Sequence, residues 1–275
     1  MSLSKEDYQE PVCPFDFSQW KDDPGAKAIP VGRVIEKLDE LYGRNDYPAA
    51  VRLADYWIQE ARAGNDLSGE FALRNELMGT YRKMGNRAKA LENAAAALRL
   101  IDRMGQKGSI SEGTALVNTA TVYRAFDMPA ESLEFFRKAS NIYESFLKPG
   151  DPRLGGLYNN MGVTLAALGR FDEAIELYFK AINNMRLSEG SEGEQAVSWL
   201  NMADSYYEKL GPEGSEVAVF ECCGKAIDLL HTEGLSKDAN YAFYCEKSAP
   251  VLGFYGFFAA QEELSKIAEK IYNRP

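Results

Sequence analysis

A single histidine, His231, occurs in the 275 residues, and that scarcity removes most familiar catalytic and metal-binding constellations. No serine or cysteine stands at a recognisable spacing from it, and a zinc site needs several His or Cys ligands gathered in one place. No Walker loop is present, no G-x-G-x-x-G follows a strand, and no strand is expected. Neither catalytic residue, metal ligand nor cofactor is therefore expected. Long apolar runs are lacking too. No stretch of eighteen apolar residues occurs, so no spanning helix is expected. The opening MSLSKEDYQEPVCPFDF lacks the charged-then-apolar order of a secretory signal.

Positive charge is short as well. Formal net charge is −10 and the pI about 4.9. Nucleic-acid binding needs a basic footprint that displaces counterions from phosphate, and anionic membranes are disfavoured for the same reason. The four cysteines, Cys13, Cys222, Cys223 and Cys245, show no C-x-x-C spacing. They read as reduced thiols in a cytoplasmic protein.

Other features are plentiful. Hydrophobic residues make up 45% and charged residues 26%, the composition of a folded chain. The length exceeds what one core usually supports, so the chain is either two compact domains or an elongated stack of small units. Periodicity favours the stack. Residues 159–182 hold an apolar helical pattern, a Gly169-Arg170 turn and a second such pattern, hence one helical hairpin. The marks recur. A small or medium residue of the first helix falls at Met78, Ala120, Gly162 and Ala203, in steps of 42, 42 and 41. Three positions later stand Tyr81, Tyr123, Leu165 and Tyr206. In the second helix an alanine recurs at Ala97, Ala139, Ala181, Ala226 and Ala268. Small residues let paired helices approach closely, and tyrosines supply buried area at the joints.

Six hairpins follow, at about 31–64, 66–106, 108–149, 151–190, 192–233 and 236–273. Residues 1–29 form an extended N-terminal segment ahead of a repeat domain at 30–275. Asp151-Pro152 offers an N-cap followed by proline at the first helical position. Gly64, Gly85, Gly105, Gly169 and Gly211 fall where helices should stop. Pro250 sits inside the first helix of the last hairpin and should kink or break it.

These columns of small residue, tyrosine, glycine turn and alanine resemble the tetratricopeptide repeat. The string LKPGDPRLGGLYNNMGVTLAALGRFDEAIELYFKAI is similar to the long-repeat form of kinesin light chains and their bacterial relatives. The likeness covers roughly 66–231. It implies an all-α, right-handed superhelical solenoid of about six antiparallel helix pairs, with first helices lining a concave face. It also implies a protein- or peptide-binding scaffold. A peptide-responsive regulatory sensor of the bacterial kind is the alternative; an enzyme is a third class for which no constellation speaks.

Asparagine is poor in helix interiors, yet Asn118, Asn160 and Asn201 share one register, with Asn75 and Asn159 one position earlier in theirs. Each amide offers a donor and an acceptor to a peptide backbone, and in similar long-repeat proteins the matching asparagines contact peptides. The same amides have a second use, tying neighbouring helices together. With Tyr81, Arg82, Thr121, Arg124 and Asp204 they make up the candidate binding face. Arg74, Arg82, Lys83 and Arg124 read either as a weak clamp for carboxylates or as a solvated face. Asp204 and Glu208, four residues apart on one helix, supply acidity. The segment Pro11–Trp20 carries Phe15, Phe17 and Trp20 among prolines and acids; it either caps the first hairpin or lies in a groove as a tethered ligand. Val251–Ala260 is rich in aromatics and either covers the end of the stack or forms a homodimer contact.

Overall fold

The computed structural model describes residues 27–273. Among these every regular element is a helix: α1 Val31–Tyr42, α2 Tyr47–Ala63, α3 Leu67–Lys83, α4 Arg87–Arg103, α5 Ile110–Ala125, α6 Pro129–Phe146, α7 Pro152–Ala167, α8 Phe171–Met185, α9 Glu192–Leu230, α10 Ala239–Phe254 and α11 Phe258–Tyr272. The 39-residue α9 is two helices joined without a loop. Gly211 stands between them at φ 73°, ψ 174°, and Pro212 starts the second. Only glycine takes that backbone readily, and a proline serves well at a first helical position. With α9 divided there, the helices pair as six hairpins. The expectations for Phe15, Phe17, Trp20 and Cys13 fall outside the described residues.

The helix ends are written locally. Asp46, Asp66, Asn86 and Ser109 each accept the backbone N–H three residues on, and Asp151 accepts that of Arg153 ahead of Pro152. Such caps satisfy donors that the first turn leaves open. Gly85, Gly105 and Gly169 adopt the left-handed conformation just past α3, α4 and α7. At the end of α2 the left-handed residue is Asn65 (φ 55°) rather than Gly64, which stays helical.

Contacts divide the chain into two compact units, one ending at Phe146 and the other starting at Leu147. Each is described by itself. In the first, Leu38, Ala50, Ala54, Phe71, Leu77, Ala94 and Ile101 belong to one buried apolar cluster. Tyr143 of α6 is fully buried against Gly113 of α5; a Cβ there would stand 2.5 Å from the ring. In the second unit Tyr178 of α8 lies as close to Gly162 of α7, where a Cβ would meet the ring at 2.6 Å. The repeating alanines Ala97, Ala139, Ala181, Ala226 and Ala268 are all buried.

Two local expectations change. In the first-helix column Tyr81 and Leu165 are buried but Tyr123 and Tyr206 are only half-buried, and the rings set against glycine inside the hairpins, Tyr143 and Tyr178, come from second helices. Pro250 does not break α10, which runs on to Phe254. The proline has no N–H to give the Glu246 carbonyl, so the helix continues past it for another turn with one ladder bond fewer. No helix among the described residues is long and apolar enough to cross a membrane.

Candidate functional site

The expected site residues lie on α3, α5, α7 and the first part of α9, the first helices of four hairpins. The structure brings the asparagines together in pairs. In the first unit Asn118 of α5 donates through Nδ2 to Oδ1 of Asn75 on α3, at 2.9 Å. In the second, Asn201 of α9 donates to Oδ1 of Asn159 on α7, at 3.0 Å. Ser198 Oγ donates to the same oxygen at 3.0 Å. Each pair joins neighbouring hairpins at the same point of the repeat. The structural use of these amides is thus realised. Asn75 is buried, while Asn118, Asn159, Asn160 and Asn201 are half-buried and keep an edge toward solvent.

The other positions differ in availability. Tyr81 and Thr121 are buried, and the Thr121 hydroxyl turns back onto the Val117 carbonyl. Arg82 and Arg124 are half-buried. Arg74 leaves the basic cluster: it lies inside the hairpin, its Nε 3.2 Å from Glu70 Oε1 and its Nη1 2.8 Å from Asn93 Oδ1. Glu70 also takes Arg62 Nε at 2.8 Å. Lys83 lies over the Tyr47 ring at 6.0 Å from its centroid.

Asp204 is exposed and accepts a 2.7 Å hydrogen bond from the Tyr255 hydroxyl just past α10. Burial raises its carboxyl above the usual range, and the charge of Glu208 adds to that. Both acids line a shallow recess of about 240 Å³ within the second unit. Val163 and Ala166 of α7 and Phe171 of α8 form its apolar side; Asn201, Asp204 and Glu208 of α9 form its polar side, and Tyr178 and Ser205 complete the lining.

Family models for the tetratricopeptide repeat match residues 70–145 and 155–183. Within those stretches the chain carries tetratricopeptide repeats. Kinesin light chain-related protein 3 of Arabidopsis thaliana is 31% identical over 97 residues, which are 35% of this chain and 15% of that protein's length. A solved structure of TPR-like repeats of kinesin light chain type from Podosopora anserina superposes with a TM-score of 0.54 at 16% identity, covering 72% of this chain and 92% of that one. BtubC (BKLC) from P. vanneervenii gives 0.58 at 18% identity, over 89% and 91%. At such identities these likenesses speak to fold alone. Tetratricopeptide repeats in general serve as protein-interaction scaffolds.

Three features of these repeats escape a reading of residue types. Glu76 stands two residues before Met78, as Asn118 stands two before Ala120, so α3 carries a carboxylate in the asparagine register. Burial, with Asp39 adding like charge, pushes it up to about 7. Its register was visible in the sequence; its burial was not. Buried Ser205 and the Tyr255–Asp204 contact belong to tertiary packing. The described thiols are structural: burial pushes Cys222 and Cys223 up to about 12 and Cys245 up to about 11, out of the nucleophilic range. His231 ties α9 to α11, with Nδ1 2.8 Å from the Ile227 carbonyl and Nε2 3.2 Å from Glu263 Oε1. Among the described residues no three His, Cys, Asp or Glu side chains stand together as a metal site.

Proposed function

We propose that this chain is a scaffold that binds protein or peptide segments on its first helices, through Asn118 with Arg82 and Arg124 in the first unit and through Asn160 and Asn201 with Asp204 in the second. One observation supports this above the others. The bonds seen between asparagines spend one donor and one acceptor of each pair, whereas an amide has two donors and two lone pairs. Half-buried Asn118 and Asn201, each with capacity to spare, suit a peptide backbone that presents its own N–H and C=O groups. Their bonds to Asn75 and Asn159 hold them rigid, so little side-chain entropy is lost on binding. Asn75, Asn159, Tyr81 and Thr121 then act from beneath, fixing the face rather than touching the ligand.

Site-specific photo-crosslinking tests this reading. A benzophenone amino acid at position 118 or 201 should capture partner from the native host. The same group at Lys138, exposed on the second helix α6, should not. Capture from position 138 alone would place the interaction on the other face and remove the proposal.

A further inference from the structure

We propose that the recess between α7, α8 and α9 is a pocket for one basic side chain, arginine before lysine, of the bound protein segment. This rests on the proposed function and names the chemistry that the second unit selects.

The argument begins with charge. Asp204 and Glu208 stand four residues apart on one helix and open into the same recess, so their carboxylates repel at close range. Among the described residues neither is paired with a lysine or arginine. The Tyr255 hydroxyl holds only Oδ1 of Asp204, which leaves Oδ2 to accept from a ligand. A cation entering here removes the repulsion and meets two acceptors at once.

Ser205 gives a second, independent sign. The residue is 1% exposed and lines the recess, yet its Oγ has no hydrogen-bond partner among the described residues. A buried hydroxyl without a partner is costly. A ligand N–H would supply one, beside the amide of Asn201.

Shape and polarity narrow the occupant. About 240 Å³ lies below the usual range of small-molecule pockets and suits one long side chain. Val163, Ala166 and Phe171 offer an apolar wall for a methylene stem, as long basic side chains require. The polar side then meets the head group. The planar fork of a guanidinium serves two carboxylates and a hydroxyl better than a compact ammonium does.

The test uses N-acetyl-arginine amide as the probe, titrated into the whole chain and followed by the methyl resonances of Val163 and Ala166 in NMR spectra. N-acetyl-citrulline amide, similar in shape but uncharged, is the control, and N-acetyl-lysine amide ranks the two cations. Saturable shifts are expected with arginine, weaker ones with lysine and none with citrulline. E208Q leaves the Asp204–Tyr255 contact in place and should weaken binding roughly tenfold. S205A should weaken it less and leave the fold intact. Equal shifts with citrulline, no shifts at all, or unchanged affinity in E208Q would each overturn the pocket. Partner captured at position 201 alongside failure of the arginine probe would sink the pocket and spare the proposed function. Probe binding with no capture from any first helix would do the reverse.

Discussion

In the unit ending at Phe146, the hairpin of α3 and α4 buries a charged pair: Glu70 and Arg74 have side chains 5% and 9% exposed, with Asn93 bonded to the guanidinium. In the unit starting at Leu147, the fully buried polar residues among those described are neutral. Gly162 receives the Tyr178 ring, Asn184 bonds the backbone of Gly150 and Asp151, and Gln195 donates to Ser191. Both units nevertheless carry the same amide bond between successive first helices. The repeat fixes where helices meet and leaves open what fills the space behind them. What stays constant between the units is the link between hairpins.

The contrast is broken most severely at Glu70. Glu70→Ala leaves Arg74 buried without its counterion and should cost about 3–5 kcal/mol in chemical denaturation. A loss below about 1 kcal/mol would mean that the charged interior is as replaceable as a surface pair.

A strongly raised carboxyl in the first unit comes next. Glu76, in the first unit, has its folded carboxyl raised to about 7 from 4.5. The folded chain then binds a proton that the unfolded chain has released. Stability contributed by this group is full below about 4.5, falls as pH rises through the interval to 7, and is flat above. A shift of that size is worth up to roughly 3 kcal/mol, less for the part of the carboxyl that water reaches. Glu76→Gln should flatten the decline across that window. A decline unchanged in the variant would assign it elsewhere.

Glycines sharpen the comparison further. Gly162 faces a ring, and Gly162→Ala should destabilise by about 1–3 kcal/mol because the new methyl displaces Tyr178. Gly79 of α3 has open space around its Cβ position, so Gly79→Ala should stabilise by about 0.5–1 kcal/mol through helix propensity. Thermal melting of the two variants should move in opposite directions.

How much of this was legible in the sequence follows from what each signal reports. Steps of 42 residues in alanines and small residues record helix contact directly, and the buried alanine column shows it. Caps such as Asp151-Pro152 are local, so they could be read without tertiary knowledge. The site was less legible. An asparagine in register does not say whether its amide faces a ligand or the next helix, and here it bonds the next helix while keeping an edge outward. Arg74 read as surface charge because its burial is tertiary, with Asn93 of the next helix bonded to the guanidinium beside Glu70. The recess needed three helices at once. Pro250 removes one bond, to the carbonyl four residues before it, yet α10 carries on for another turn, which the residue type alone does not show.

The amide link between hairpins is tested most directly by double-mutant cycles on Asn75 with Asn118 and on Asn159 with Asn201, each residue changed to alanine. Coupling of about 1 kcal/mol is expected in both cycles. It should be smaller in the second, where Asn159 keeps its bond from Ser198. Coupling indistinguishable from zero in both would contradict the link and, with it, the rigid face on which the proposed binding depends.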